Sequence, residues 1–269
     1  MDGHHYKTAV DQAYTLWEAG HYERARALAD GLLIRMKRDL GDAHPDTLRI
    51  AFVLALSYRE LGHYDQALDL GAETLVGQRQ ALGADHPDTL RAAYCVSVYL
   101  RELHQHDRAR ELAEDTLVRM RRVMGEHHPR TLRTAYILAV VHRETGKCEQ
   151  AYDLGLATLI HQRRVLGEEH PHTLISAYQF GATLRALGRY ERAGVLGEAA
   201  FSRCRHVLGV NHRDTLRAAY HLAITLHEAG QPTHARQLAD ETWTRMRLAL
   251  GEEHPDTVRA ARIREKCST

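Results

Sequence analysis

Histidine is the residue type in this chain with the widest chemical repertoire, because its ring can ligate a metal or transfer a proton near neutral pH. The sequence contains 20 histidines, and six of them recur at a spacing of 42 residues: His44, His86, His128, His170, His212 and His254. A zinc site needs several ligands that converge on one point. These six histidines stand in six separate segments, and the sequence contains neither His-Glu-x-x-His nor Cys-x-x-Cys. Each stands at a predicted helix start, so we expect it to hydrogen-bond a neighbouring turn, and we predict no metal site.

The other reactive residue types form no pattern that is typical of a catalytic site. Paired carboxylates such as Glu168 and Glu169 lie near predicted helix starts, where the helix dipole accounts for them. The sequence has no nucleophile elbow and no glycine-rich phosphate loop of the Walker type. Four cysteines lie far apart in the sequence: Cys95, Cys148, Cys204 and Cys267. We therefore predict a protein that is not an enzyme and binds no cofactor, in a reducing cytoplasm.

The charge balance and the length of the apolar runs argue against two classes of partner. Lys and Arg together number 36 against 35 Asp and Glu, which gives a net charge of +1 and no continuous basic ridge. No apolar run is long enough to span a membrane. We therefore expect neither nucleic acid nor a membrane as a partner. The basic residues are mostly arginine, which suggests a bacterial protein with a GC-rich gene.

The spacing of the histidines belongs to a repeat that runs through the chain. The segment Leu-Gly-Ala-Asp-His-Pro-Asp-Thr-Leu-Arg at 82–91 recurs with small changes at 40–49 and at 250–259. Weaker copies lie between them, without insertion or deletion. A fixed period of this size is typical of an array of stacked structural units.

Each period contains two helical patterns. In the second copy, apolar residues recur at steps of three and four from about Pro45 to Leu61, which predicts one helix with a buried face. Pro45 suits the first turn of this helix, and Gly62 suits its left-handed end. A second helix follows and ends at Gly83. Its alanine column is invariant in all six copies, which indicates a close helix crossing: Ala25, Ala67, Ala109, Ala151, Ala193 and Ala235.

Gly62, Tyr64 and Ala67, with the small and apolar columns before them, resemble the tetratricopeptide repeat, whose usual unit has about 34 residues. The longer unit and the Leu-Gly-x-x-His-Pro junction resemble the repeats of kinesin light chain and of many bacterial proteins. The resemblance implies an all-α, right-handed superhelical solenoid of antiparallel helix pairs. We predict a single array over 1–269, with a capping helix at 255–265 after six repeats at about 4–44, 45–86, 87–128, 129–170, 171–212 and 213–254.

The candidate binding residues lie on the first helix of each pair, which lines the concave face in the resembling family. Columns that vary between copies are free to serve a ligand, whereas invariant columns serve the stack. This criterion selects a stripe beside the buried one, which consists of Arg91, Tyr94, Cys95, Val98, Arg133, Tyr136, Ile137, Val140, Tyr178, Gln179, Arg217, Tyr220 and His221. Tyrosine, arginine and apolar groups suit capture of a peptide. The tyrosines could equally serve only to stack successive first helices.

The arginines of this stripe also allow two interpretations. Arg49, Arg91 and Arg217 each follow an aspartate by three residues, which favours a surface ion pair within the helix. Arg133 instead follows Arg130. These two arginines could therefore receive an acidic group of a partner, or they could form an ordinary solvated face.

Three functions are compatible with this sequence. The first is a scaffold that captures a protein or peptide segment on its concave face. One form of this hypothesis has an acidic segment as the partner. The second is the sensor array of a bacterial nucleotide-switch system of the NB-ARC type, since arrays of this kind often follow such a switch. The third is a structural array that assembles end to end, which light scattering over a concentration series would separate from a monomeric binder.

Overall fold

The computed structural model describes residues 3–267, with side chains from Tyr6 onward. This part of the chain forms thirteen helices and no strand, which confirms the predicted all-α solenoid class. The helices are α1 Gly3–Glu18, α2 Tyr22–Leu40, α3 Pro45–Glu60, α4 Tyr64–Leu82, α5 Pro87–Glu102, α6 His106–Met124, α7 Pro129–Glu144, α8 Cys148–Leu166, α9 Pro171–Ala186, α10 Tyr190–Val207, α11 Arg213–Glu228, α12 Pro232–Leu250 and α13 Pro255–Lys266. The odd-numbered helices up to α11 are the first helices of the six pairs, and the even-numbered helices are the second.

The helices fall into two compact units. Unit 1 spans Met1–Gly125 and contains α1 to α6, whereas unit 2 spans Glu126–Thr269 and contains α7 to α13. Within each unit, every helix packs against the next one in the chain, and first helices also contact the first helix of the next pair. The repeat boundaries and the single array over 1–269 stay predictions.

The junction histidines cap the helices that follow them. At all six positions, the ring Nδ1 accepts a hydrogen bond from the backbone N–H two residues later, at 3.1 to 3.2 Å. The backbone of each histidine is extended, as N-cap residues require. The cap satisfies one of the backbone donors that a helix start leaves unpaired. The expectation that these histidines bond a neighbouring turn is therefore confirmed.

Removing one cap should therefore destabilise the chain. We expect His44→Ala to lower the free energy of unfolding by about 1 kcal/mol, because the Asp46 N–H loses its acceptor. His44→Asn should restore most of that loss, since asparagine is a good N-cap residue. Urea unfolding followed by circular dichroism measures both. Equal midpoints for His44→Ala and the unmodified chain would show that the cap contributes nothing.

The turns inside the helix pairs use a left-handed backbone. The turn glycines have φ between +70° and +82°, and His104 takes their place in the third pair with φ +57°. Among the described residues, His104 is the only non-glycine residue with positive φ. This confirms the expectation that histidine replaces glycine there, since a few side chains tolerate that region. The invariant alanines of the second helices are fully buried, as a close crossing requires.

Candidate functional site

The first helices differ in how much of their surface is buried against neighbouring helices. In α5 every residue from Ala92 to Leu100 is buried, and in α9 every residue from Ser176 to Leu184. In unit 2, α7 and α11 retain half-buried positions on the predicted stripe, at Arg133 and Tyr136 on α7 and at Arg217, Tyr220 and His221 on α11. The same stripe keeps only one half-buried position on α5, Arg91, and one on α9, Ile175, so within unit 2 its accessible surface lies mainly on α7 and α11.

The predicted residues of unit 1 are mostly enclosed. Tyr94, Cys95 and Val98 on α5 are all buried. Arg91 remains half-exposed, and its guanidinium carbon lies 4.3 Å from the centroid of the Phe52 ring on α3. A cation over an aromatic face is a favourable packing contact between these two helices. This part of the stripe therefore offers little open surface.

In unit 2, Tyr178 joins two helices. Its ring is buried and stacks on His221 with centroids 5.5 Å apart and planes 24° apart. Its hydroxyl donates to Asp214 Oδ1 at 3.4 Å, so both contacts connect α9 to α11. Burial raises the pKa of Tyr178 well above its ordinary value. At this position the interpretation as a stacking tyrosine accounts for the contacts.

The remaining tyrosines of the stripe stay accessible. Tyr136 on α7 and Tyr220 on α11 are half-buried. Tyr136 and the buried Gln179 line the same narrow cleft. Ile137 and Val140 are buried, and Val140 also lines that cleft. Arg130 and Arg133 are half-buried on α7. Arg133 is not isolated in the structure, so the premise of an unpartnered charge there does not hold.

One column of arginines near the ends of the first helices was not predicted from the sequence. Arg59 and Arg101 end the first helices of unit 1, and each pairs with the glutamate that follows it in sequence. Arg59 Nη1 lies 2.9 Å from Glu60 Oε1, and both glutamates are largely buried. The signal was present, since arginine recurs at intervals of 42 residues at positions 59, 101, 143 and 185. Position 59 lies outside both the buried stripe and the stripe beside it, so this column was not among the candidates.

The same column is paired differently in unit 2. Arg143 Nη2 donates to Gln179 Oε1 at 3.1 Å and lies 3.4 Å from Glu144 Oε1. Arg185 is followed by Ala186 instead of a glutamate, and its Nε lies 3.6 Å from Glu228 Oε2 on α11. Arg185 Nη1 is buried and has no hydrogen-bond partner. Burial, and then the charge of Arg143, lowers the pKa of Arg185 below its ordinary value.

We call Tyr136, Arg143, Gln179, Arg185 and Tyr220 the wall cluster. It spans three successive first helices, α7, α9 and α11. The charges of Arg185 and Arg143 both act on the Tyr220 hydroxyl, whose pKa is raised mainly by burial. The cluster thus combines two half-exposed aromatic rings with two guanidinium groups that are nearly enclosed.

A second arginine site in unit 2 is structural. Asp256 of α13 is 4 % exposed and accepts from Arg213 Nε and Arg217 Nε, each at 2.9 Å, and from Arg259 Nη1 at 3.2 Å. Burial alone would raise the pKa of Asp256, but Arg217 and Arg213 outweigh it and hold that pKa well below its ordinary value. Arg217 thus also pairs with α13, a contact that the spacing to Asp214 did not predict. The sequence signal was Arg213, which stands where α3, α5, α7, α9 and α13 begin with proline.

Two further features bear on the class of protein. Across the described side chains, no group of three His, Cys, Asp or Glu residues is placed so that it could hold a metal ion. Among the helices that the structure describes, none has the length and apolar character needed to cross a membrane.

The sequence pattern of the tetratricopeptide repeat matches residues 6–77, 88–159, 138–194 and 177–247. The chain belongs to the tetratricopeptide repeat family. This confirms the resemblance seen in the sequence. Arrays of this family are typically protein-interaction scaffolds without enzymatic activity. No curated protein sequence matches the tetratricopeptide array described here.

Several solved structures share the fold of this tetratricopeptide array. A Podosopora anserina kinesin light chain with nearly identical TPR-like repeats is 24 % identical, with a TM-score of 0.58 over 76 % of this chain and 97 % of that one. BtubC from P. vanneervenii is 21 % identical, with a TM-score of 0.61 over 87 % and 94 %. NprR in complex with its cognate peptide NprX is 14 % identical, with a TM-score of 0.79 over 99 % and 74 %. At these identities the likeness concerns the fold alone.

Proposed function

We propose that this tetratricopeptide array is a scaffold that captures a peptide, or an extended segment of a protein, on the wall cluster of unit 2. The observation that carries the proposal is the position of Tyr136 and Tyr220. Both rings remain half-exposed on α7 and α11, whereas the corresponding Tyr94 and Tyr178 are buried. Two accessible rings lie on the helices on either side of α9, and the charges of Arg143 and Arg185 act on the Tyr220 hydroxyl.

The chemistry of the cluster suits a peptide. Tyrosine and arginine are enriched among the residues that dominate binding energy at protein interfaces. A tyrosine ring offers a large contact area with little conformational entropy to lose, and its hydroxyl can bond a peptide amide. The buried Gln179 accepts from Arg143 through its Oε1, so it holds that guanidinium in place within the cluster. The NprR structure gives the proposal limited support, because a protein of the same fold holds a peptide.

Selection from a random peptide library tests the proposal. The full chain is immobilised, and recovered peptides are measured by fluorescence anisotropy in solution. We expect related sequences that bind with micromolar or lower dissociation constants. Recovery of unrelated sequences only, none of which binds in solution, would overturn the proposal. Light scattering on the same samples tests the alternative function, a structural array that assembles end to end.

A further inference from the structure

A pocket beside Gly77, on α4 of unit 1, is lined by residues of α2, α3 and α4 and of the loop that joins α2 to α3. We infer that this pocket binds an arginine side chain of a second protein partner. The site is independent of peptide capture by the wall cluster, because every residue that forms it belongs to unit 1.

The residues that correspond to Gly77 in the later repeats all reach back to the loop before their helix pair. Arg119 Nη1 lies 3.1 Å from Asp85 Oδ1, and Arg203 Nη1 lies 2.8 Å from Glu168 Oε2. Two further pairs make the corresponding contact: His161 with His127, and Arg245 with Asn211. Gly77 has no side chain, so the second repeat lacks this contact.

The missing side chain leaves a pocket with a volume of about 190 Å³. Leu48 and Ala51 of α3 and Leu70 of α4 give it apolar walls. A cavity of about 150 Å³ holds a benzene molecule, so this pocket has room for the side chain of an arginine. The apolar walls suit the aliphatic stem of that side chain, which packs readily along apolar surface.

The charged residues that line the pocket are two acids and one base. Lys37 Nζ lies 2.9 Å from Glu73 Oε1 but 3.7 Å from Asp42 Oδ1, which is too long for a hydrogen bond. Asp42 stands at the position of Glu168, the acid that Arg203 contacts in unit 2. The second repeat therefore keeps the acid of this ion pair and lacks its arginine, which favours a cation as the ligand.

A buried hydroxyl completes the site. Thr47 on α3 is 1 % exposed and lines the pocket, and its Oγ1 finds no hydrogen-bond partner among the described residues. A buried polar group without a partner costs free energy, so a ligand that bonds it gains affinity. A guanidinium group has five N–H donors and can therefore bond this oxygen and Asp42 together.

The surface around the pocket favours a protein over a free amino acid as the source of the arginine. Val76 lines the pocket and is 54 % exposed. Ile34 on α2 and Val118 on α6 stand at the corresponding positions and are also exposed. Exposed apolar groups beside a polar site are typical of protein interaction surfaces. A free amino acid would leave these side chains uncovered.

Side-chain analogues of known structure test this site on the full chain. n-Butylguanidinium reproduces the stem and the head of arginine, and N-butylurea is its neutral isostere. Each compound is titrated into isotopically labelled protein, and backbone amide shifts are followed by NMR spectroscopy. We expect saturable shifts around position 77, with a dissociation constant of about 1 mM for n-butylguanidinium. N-Butylurea should bind at least about threefold more weakly.

Gly77→Arg restores the missing side chain and should abolish the binding of n-butylguanidinium. A Cβ at position 77 would lie 2.6 Å from Leu48 Cδ2, which is the flexible end of a side chain. Arg119 and Arg203 occur together with the corresponding leucines, so we expect the variant to fold. Gly31→Arg on α2 is the matched control, because Gly31 is exposed and a Cβ there would meet no described atom within 4 Å.

Two variants at the mouth of the pocket should change the affinity in opposite directions. Asp42→Asn removes an acid and should weaken n-butylguanidinium binding about threefold. Lys37→Gln removes the cation that now neutralises Glu73, so it should strengthen binding about threefold. Acetyl-arginine amide, which represents an arginine within a protein, should bind at least as tightly as free arginine.

Four results would overturn the inference. Equal affinity for n-butylguanidinium and N-butylurea would show that the pocket does not recognise charge. Shifts that spread over the chain without saturation, or binding that survives in a folded Gly77→Arg variant, would place the ligand elsewhere. If Gly77→Arg does not fold, unchanged affinity in both Asp42→Asn and Lys37→Gln would have the same meaning. Free arginine that binds at least about tenfold more tightly than acetyl-arginine amide would assign the pocket to the amino acid.

Discussion

Asp256→Asn is expected to lower the free energy of unfolding of unit 2 by about 3–5 kcal/mol. The carboxylate accepts from Arg213, Arg217 and Arg259, and it is almost completely buried. An amide has no charge and would leave the half-buried guanidinium groups of Arg213 and Arg217 without their acid. Urea unfolding followed by circular dichroism measures the loss.

Asp240→Asn is the matched control for this substitution. Asp240 Oδ1 lies 2.8 Å from Arg264 Nε, and both side chains are about 45 % exposed. Exposed ion pairs contribute at most about 1 kcal/mol, so this variant should unfold nearly as the unmodified chain does. If both variants lose a similar free energy of unfolding, burial of Asp256 does not increase the stability that its ion pairs contribute.

The contact of Asp256 with its arginines also predicts how the stability of the folded chain depends on pH. The pKa of Asp256 in the folded chain lies well below its ordinary value of 3.8. The unfolded chain therefore takes up this proton at a higher pH than the folded chain does. The stabilisation is present above about pH 4 and is lost as pH falls through the folded pKa. Unfolding midpoints measured from pH 7 downward should fall more steeply below pH 4 for the unmodified chain than for Asp256→Asn, and parallel curves would contradict the assignment.

The double variant Tyr136→Ala and Tyr220→Ala is expected to weaken the binding of a selected peptide by at least about 100-fold. Both rings are half-exposed and supply most of the apolar surface that the wall cluster offers. Leu248→Ala is the control, because Leu248 is 78 % exposed and lies on the second helix α12. Fluorescence anisotropy reports the affinities, and circular dichroism confirms that helix content is retained. An unchanged affinity in the double variant would place the peptide elsewhere.

The fold could be predicted from the sequence because its signals are local and repeated. A histidine N-cap begins six of the described helices, and five of these six carry a proline in the first turn. A glycine with positive φ follows eleven of the thirteen described helices, so each of these signals acts within a few residues. The invariant alanines then fix where the helices cross. Even the exception at His104 follows a local rule, since its backbone adopts the glycine conformation.

The candidate site was harder to predict because it depends on contacts between repeats. Periodicity assigned Tyr94 and Tyr178 to the same stripe as Tyr136 and Tyr220, but only packing distances decide which rings are covered. Arg217 matched the column of Arg49 and Arg91, yet its partner lies 39 residues further along the chain. Likewise, Ala186 is an unremarkable helix residue until the glutamates of the other repeats are seen beside their arginines.

Site-specific photocross-linking is the most direct test of where the partner segment lies. Benzoylphenylalanine replaces Tyr220 in one variant and Leu248, which is 78 % exposed on the second helix α12, in another. Each variant is irradiated with a labelled, library-selected peptide. The proposed wall predicts a cross-linked product for the variant at position 220 and none for the variant at position 248. A product at position 248, or none at position 220 while the peptide still binds, would contradict peptide capture by the first helices of unit 2.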